Sequence, residues 1–146
     1  MQTFLPLPDF EASARVLDWR RLGKQRSEAR GILTTLLFNG GWRHHTAVRM
    51  WEGYIAALVE YGDVIIREWV RRGYNNAMPI LSVQAFELPP WFGVEAFHAS
   101  HRSNLLRKLP EHYNQFGWKE GPDLPYFWPT KQGYSGRRNT SALALP

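Results

Sequence analysis

The strongest constraint on the fold is a long run of apolar residues at helical spacing between residues 46 and 72. Valine, isoleucine, leucine and tryptophan recur there every three or four residues, which gathers them along one face of a helix. Gly73 follows as a typical helix C-cap, and Gly62 marks a point where the helix can kink or divide. The run therefore predicts a long amphipathic helix whose apolar face is buried against other helices.

Shorter helices and a proline-rich C-terminal part are predicted around this helix. The shorter helices are expected over residues 11–18, 22–38 and 97–109, with a further turn over 111–116. Prolines and glycines crowd the chain after Gly117, and no segment shows the alternating pattern of a strand. We therefore predict an all-α fold. It is a compact single-domain helical bundle over residues 1–130 with a long irregular C-terminal segment, and 131–146 form a loose tail.

Charge and composition favour a nucleic acid partner inside the cell. The 146-residue chain has no cysteine, seven tryptophans and a net charge of +5, and a basic chain attracts polyanions. No apolar run approaches the roughly 20 residues that span a bilayer. Residues 1–6 also lack the basic and apolar regions of a signal peptide. We therefore expect a cytoplasmic protein that does not enter a membrane.

A block of basic residues between residues 15 and 30 is the main candidate binding surface. Its basic members are Arg15, Arg20, Arg21, Lys24, Arg26 and Arg30, and its acidic members are Asp18 and Glu28. Guanidinium groups at this density repel one another unless anions lie between them, so we interpret the block as a phosphate-binding surface. The alternative is a solvated helix face whose long side chains cover apolar neighbours. Lys24 and Glu28 also have the spacing of an ordinary helical ion pair.

A second group of polar and basic side chains lies in the helix predicted over 97–109. Short polar donors mixed with basic side chains suit phosphate and sugar oxygens. The donors are His101, Ser103, Asn104 and Lys108, and the basic side chains beside them include Arg102 and Arg107. The alternative is an ordinary polar helix turn, and charge alone does not favour either interpretation.

Two pairs of histidines suggest a metal site. They are His44-His45 and the i, i+3 pair His98 and His101. Neither a cysteine nor a His-Glu-x-x-His arrangement accompanies them, so the ligand set of a metal site is incomplete. We therefore predict no metal, and no sequence motif indicates another cofactor.

Four motifs, taken in order, resemble the pyrimidine-dimer DNA glycosylases of the phage endonuclease V type. Residues 17–22 (Leu-Asp-Trp-Arg-Arg-Leu) are similar to the family's aromatic-Arg-Glu-Leu segment, and 41–45 (Gly-Trp-Arg-His-His) to its Gly-aromatic-x-Asn-His turn. Residues 72–74 (Arg-Gly-Tyr) resemble its Arg-Gly-aromatic helix end, and 108–113 its Lys/Arg-x-Pro-x-aromatic-Tyr stretch. The similarity runs over roughly residues 9–118, and it is closer to an uncharacterised bacterial branch of the family.

The resemblance implies an all-α enzyme that bends duplex DNA, flips a nucleotide out and excises its base. In that family an amine at the N-terminus of the chain attacks the deoxyribose C1′, and the resulting Schiff base can proceed to strand cleavage. A glutamate on the first helix assists, and nearby arginines hold phosphates. An amine nucleophile needs a lowered pKa, and a crowd of cations lowers it by like-charge repulsion.

Carried over to this chain, the resemblance implies a catalytic centre that differs from the family's in two positions. The family's amine belongs to the second residue, exposed when the methionine is removed. Here the bulky Gln2 keeps Met1 in place, so the amine belongs to Met1. The family's glutamate aligns with Arg21, which leaves two neighbouring carboxylates to act as the acid. The catalytic candidates are Met1, Lys24, Arg21, Asp18 and Glu28.

The first hypothesis is a monomeric DNA repair enzyme, a hydrolase or lyase that excises a damaged or modified base from double-stranded DNA. The predicted DNA contacts are Arg20, Arg26, Arg30, Arg43, His44, His45, His101, Arg102, Ser103, Arg107 and Lys108. The second is a non-catalytic nucleic-acid-binding domain that kept the fold and lost the glutamate. The third hypothesis is that the protein keeps the active centre but uses it for a different nucleotide or nucleic-acid modification. The aromatic run over 113–128 is either a base pocket or ordinary core.

Overall fold

The computed structural model describes residues 1–130 and 133–135, and their regular structure is almost entirely helical. The helices are α1 (Phe10–Val16), α2 (Trp19–Phe38), α3 (Thr46–Arg49), α4 (Ile55–Arg71), α5 (Glu95–Lys108) and α6 (Pro110–Tyr113), followed by a 3₁₀ turn (Asn114–Phe116). Two three-residue strands follow, β1 (Trp128–Thr130) and β2 (Gly133–Ser135). The predicted all-α class is confirmed.

The described residues form two compact units. The first unit contains Met1–Thr3 and Leu17–Pro89, and therefore helices α2, α3 and α4. The second unit contains Phe4–Val16 and the described residues from Pro90 onward. In this described part of the chain, no helix is long and apolar enough to cross a bilayer. The single domain over 1–130 stays a prediction.

Helix α2 begins earlier than predicted because Asp18 caps it. The Asp18 carboxylate accepts a hydrogen bond from the Arg21 backbone N–H at 3.4 Å, and its own backbone is extended, as an N-cap requires. At the other end, Asn39 takes a left-handed conformation with φ of 58° and closes the helix at Phe38, as predicted. The preceding helix therefore stops at Val16 and does not include Asp18.

The helix predicted over 46–72 divides at Gly53 and not at Gly62. Gly53 has a positive φ of 85°, which favours glycine, and it lies between α3 and the start of α4. Helix α4 passes through Gly62 without a break. A Cβ at Gly62 would lie 3.5 Å from the Ala29 Cβ, so this glycine permits close packing against α2.

The core of the first unit lies where α2 packs against α4. Its fully buried side chains include Leu22, Ile32, Leu58 and Ile65. Each such side chain contributes about 1.5–3 kcal/mol through its removal from water. Because α2 packs against α4, the polar side chains of α2 lie on either side of this core. This packing determines where the functional side chains of α2 lie.

Helix α5 is the centre of the second unit, and most of its polar side chains are buried. It ends at Leu109 because the residue before a proline avoids the helical region, and Leu109 has φ of −151°. Its side chains bond to backbone groups of residues 5–6 and 121–127. Buried polar groups are tolerated here because the neighbouring backbone satisfies them.

The two strands are a difference from the sequence prediction, which expected none. They pair antiparallel, with Trp128 opposite Ser135 and Thr130 opposite Gly133. β2 lies within the predicted loose tail over 131–146. The other residues of that predicted tail lie outside the described residues.

Candidate active site

The N-terminal residues of the chain are bonded to the middle of α2 within the first unit. The Gln2 backbone N–H donates to Glu28 Oε2 at 3.3 Å, and Gln25 Nε2 donates to the Gln2 carbonyl oxygen at 2.9 Å. Gln25 is held in turn by the Tyr61 hydroxyl, which donates to its Oε1 at 2.7 Å. These bonds place the residue after Met1 beside the Glu28 carboxylate.

Glu28 also lies beside the side-chain amine of Lys24. Lys24 Nζ is 3.7 Å from Glu28 Oε1; the Glu28 side chain is 14% exposed and the Lys24 side chain 71% exposed. A carboxylate in this position can exchange protons with an amine nucleophile while the lysine meets solvent or phosphate. The structure therefore brings Met1, Lys24 and Glu28 to one region of the first unit.

Asp18 and Arg21 form a separate pair at the start of α2. Arg21 Nη1 lies 3.2 Å from Asp18 Oδ1, and the same carboxylate caps the helix. Asp18 is buried, and both of its described bonds stabilise the local backbone and side-chain arrangement. The described bonds of this pair thus lie within the first turn of α2.

Arg26 and Arg30 lie on another face of α2. Arg26 and Glu28 are two residues apart, so their side chains point about 200° apart around the helix. Arg26 Nη1 donates to Asn76 Oδ1 at 2.7 Å, and its guanidinium lies 4.3 Å from the centre of the Trp69 ring. These two arginines therefore lie away from the amines and hold the segment after α4.

Arg30 forms a buried ion pair with α4. Its Nη2 lies 3.0 Å from Asp63 Oδ1 and also donates to the Pro79 carbonyl oxygen. Asp63 is fully buried and accepts from the backbone N–H groups of Leu81 and Ser82. The predicted phosphate contact at Arg30 would compete with this network.

Exposed aromatic rings lie at the start of α2 and the end of α4, and the sequence analysis did not predict them as DNA contacts. Trp19 is 52% exposed, and the Arg20 guanidinium lies 5.2 Å from the centre of its ring. Tyr74 stacks on Trp69 with ring centres 4.3 Å apart and lies 6.4 Å from Trp19. Aromatic rings beside guanidinium groups suit a nucleic acid strand, since bases stack on rings while cations meet phosphates.

The turn after α2 carries the next group of predicted DNA contacts. Arg43 and His44 are exposed there, together with Trp42. His45 is different, because its Nδ1 accepts from the Ala47 backbone N–H at 3.0 Å and caps α3. Arg43 and His44 are thus available to solvent, whereas His45 has a structural bond.

The predicted contacts of α5 belong mainly to the interior of the second unit. His101 Nδ1 accepts from the Leu5 backbone N–H, and complete burial lowers the pKa of His101 to about 3. Arg102 binds Glu120 and Glu95, which raise its pKa, and Ser103 donates to the Gly121 carbonyl oxygen. These buried side chains would have to be uncovered before they met DNA.

Two basic residues at the end of α5 are less enclosed. Arg107 donates to the Pro122 carbonyl oxygen at 3.3 Å and to Asn104 Oδ1, and it is exposed, as is Lys108. Within residues 1–130 and 133–135, no three His, Asp or Glu side chains are grouped so that they could hold a metal ion.

The comparison with known protein families finds a match that covers more than half of the chain. The family model described as pyrimidine dimer DNA glycosylase matches residues 1–82. The chain belongs to the pyrimidine dimer DNA glycosylase family. The resemblance predicted from the four motifs is therefore confirmed. No curated protein and no solved structure matches the chain.

Membership in the pyrimidine dimer DNA glycosylase family identifies the general activity. It indicates a glycosylase-like function in DNA repair, with DNA as the substrate. The matched residues include the N-terminal segment, α2 and α4, and so contain Met1, Lys24 and Glu28.

Proposed function

We propose that this protein is a DNA glycosylase whose nucleophile is the α-amine of Met1 and whose acid–base group is Glu28. The observation that carries the proposal is the 3.3 Å hydrogen bond from the Gln2 backbone N–H to Glu28 Oε2. It holds the residue next to the amine against a partly buried carboxylate. Membership in the family supports the chemistry, because its description names a glycosylase.

Glu28 takes the role that the motif alignment placed at Arg21. Arg21 is paired with Asp18 at the start of α2, and the Asp18 carboxylate also caps this helix. Glu28 accepts the bond from the N-terminal segment, and it lies two helical turns further along α2. The loss of a carboxylate at position 21 is thus compatible with catalysis.

In the proposed reaction, the lone pair of the amine forms a bond to C1′ of a flipped nucleotide. The bond between C1′ and the base nitrogen breaks, and its electron pair leaves with the base. The surplus proton of the amine passes to Glu28 and then to the departing base. Breakage of the C1′–O4′ bond, with protonation of O4′, gives the imine. Loss of a C2′ proton and of the 3′ phosphate from that imine would cleave the strand.

The proposed substrate is double-stranded DNA with a damaged or modified base, bound by a monomer in the cytoplasm. Arg20, Lys24, Arg43 and His44 are the proposed phosphate contacts, since each is exposed on the first unit. Flipping a nucleotide has a free-energy cost of a few kcal/mol. Stacking of a base on an exposed ring such as Trp19 can offset about the same amount. The buried side chains of α5 are not among the proposed primary DNA contacts.

Borohydride trapping tests this proposal. Wild-type protein is incubated with an abasic-site duplex and with a duplex that contains one thymine dimer, and imine reduction should give a stable adduct with both. Intact-mass analysis first establishes that Met1 is retained with a free amine. Transamination of the α-amine to a carbonyl should abolish trapping, whereas the Lys24→Arg variant should still trap. An adduct that survives transamination and is lost in Lys24→Arg would assign the nucleophile to Lys24.

The same experiment separates the proposed enzyme from a DNA-binding domain without catalysis. Salt-sensitive duplex binding without adduct and without base release would refute the proposal and establish the binding domain. Base release without any adduct would replace the amine by water as the nucleophile.

A further inference from the structure

The side-chain amide of Gln2 contains a buried donor that has no partner. Gln2 is 6% exposed, and its Nε2 makes no hydrogen bond. The orientation of the amide is determined by its oxygen, because the Thr3 backbone N–H donates to Oε1 at 2.9 Å. The unpartnered atom is therefore the NH₂ group. Buried donors without a partner are uncommon in folded proteins and call for a functional explanation.

Three hydrogen bonds hold Gln2 beside the proposed catalytic pair, two through its backbone and one through its side-chain amide. The Gln2 backbone N–H binds Glu28, its carbonyl oxygen binds Gln25, and its own Oε1 binds Thr3. A donor held by its own backbone keeps its position when the substrate arrives, so little reorganisation is needed. Gln2 also follows directly after Met1, so the NH₂ group and the amine belong to neighbouring residues.

We propose that Gln2 Nε2 donates a hydrogen bond to the base as it leaves. This inference rests on the proposed function. When the bond from C1′ to the base breaks, its electron pair goes to the base, and negative charge develops on the acceptor next to the broken bond. That acceptor is O2 of a pyrimidine or N3 of a purine. A fixed, water-shielded donor at that atom stabilises the charge more than water does.

The substrate reaches this donor through a movement that the reaction already requires. Met1 is 38% exposed and must turn its amine toward C1′. The first residue of a chain is among the easiest to displace. Its displacement opens the neighbouring Gln2 amide to the base.

The test replaces the donor with an apolar side chain of similar size. Gln2→Leu removes the amide but keeps residue 2 bulky, so that Met1 stays in place, as intact mass verifies. Single-turnover base excision from a thymine-dimer duplex should slow by about 100-fold, the usual effect of losing one such donor. Trapping on an abasic-site duplex, which has no base to leave, should change far less. The melting temperature should change little, because the unpartnered Nε2 is removed while the buried Thr3 backbone N–H loses its acceptor, Gln2 Oε1.

Matched variants keep this test decisive. Gln84→Leu makes the same change at an exposed glutamine of the first unit and should alter neither rate nor melting temperature. Gln2→Met repeats the test with a more adaptable side chain if Gln2→Leu does not fold. Excision at the wild-type rate, or equal slowing on both substrates, would overturn the role of Gln2. Absence of any adduct with the wild-type protein would instead overturn the proposed function.

Discussion

The Glu28→Gln substitution is the most informative single change in this protein. It removes the carboxylate that is proposed to exchange protons with the Met1 amine, and it keeps the size of the side chain. The amide oxygen can still accept the Gln2 backbone N–H that Glu28 Oε2 accepts at 3.3 Å. The change therefore removes acid–base chemistry without removing the local hydrogen bond.

The expected cost is large for catalysis and small for stability. General acid–base groups contribute about 10²–10⁴-fold to rate, which corresponds to about 2.7–5.4 kcal/mol of transition-state stabilisation. The ion pair with Lys24 spans 3.7 Å and its lysine is 71% exposed, so solvent screens it. Its loss should cost about 0.5 kcal/mol or less, and the melting temperature should fall by no more than about 2 °C.

The assay combines single-turnover excision on the thymine-dimer duplex with borohydride trapping and thermal melting. Glu11→Gln is the matched control, because Glu11 forms an i, i+4 pair with Arg15 in the second unit. The control should keep the wild-type rate. A Glu28→Gln protein that folds and excises within about threefold of wild type would refute the role given to Glu28, since general acid–base catalysis is worth far more.

Four further predictions follow from the packing and the exposed rings. Asp63→Ala breaks the buried pair with Arg30 and should cost about 3–5 kcal/mol in a denaturant melt; a loss below 1 kcal/mol would contradict this. Gly23→Ala places a Cβ 2.9 Å from the Trp69 ring, so it should destabilise by about 1–3 kcal/mol despite better helix propensity, and a more stable protein would argue against the packing. Burial lowers the pKa of His101 from 6.5 to about 3, so the unfolded chain binds more protons between these values. Stability should be complete above pH 6.5 and fall as the pH falls toward 3, and His101→Gln should flatten this dependence in urea titrations. Trp19→Ala should weaken binding to a single-stranded oligonucleotide by about 1–3 kcal/mol, and an unchanged affinity would contradict the proposed stacking on this exposed ring.

Local signals in the sequence were sufficient for the fold class and for most helices. The apolar spacing over 46–72 depends only on neighbours within a few turns, and the end of α2 is indicated by the local run Asn39-Gly40-Gly41. The start of α2 was missed because Asp18 fits either as the end of one helix or as the cap of the next. Only the bond to the Arg21 backbone decides between them.

Charge patterning was less reliable at α5. His101, Arg102 and Ser103 have the composition of a binding surface, yet backbone groups and carboxylates distant in sequence enclose them. A polar side chain can be buried wherever partners satisfy it, and those partners lie up to 96 residues away. No local pattern reveals such a partner.

The sequence by itself determined that this is a basic, helical member of a DNA glycosylase family, because composition, helical spacing and short motifs are all readable along the chain. Only the tertiary structure decided that Glu28 meets the N-terminal segment, since Gln2 and Glu28 are 26 residues apart and meet only when the chain folds back on α2. It also decided that the Gln2 amide is buried with a free donor. Both are properties of long-range packing, which the sequence encodes only through the whole fold.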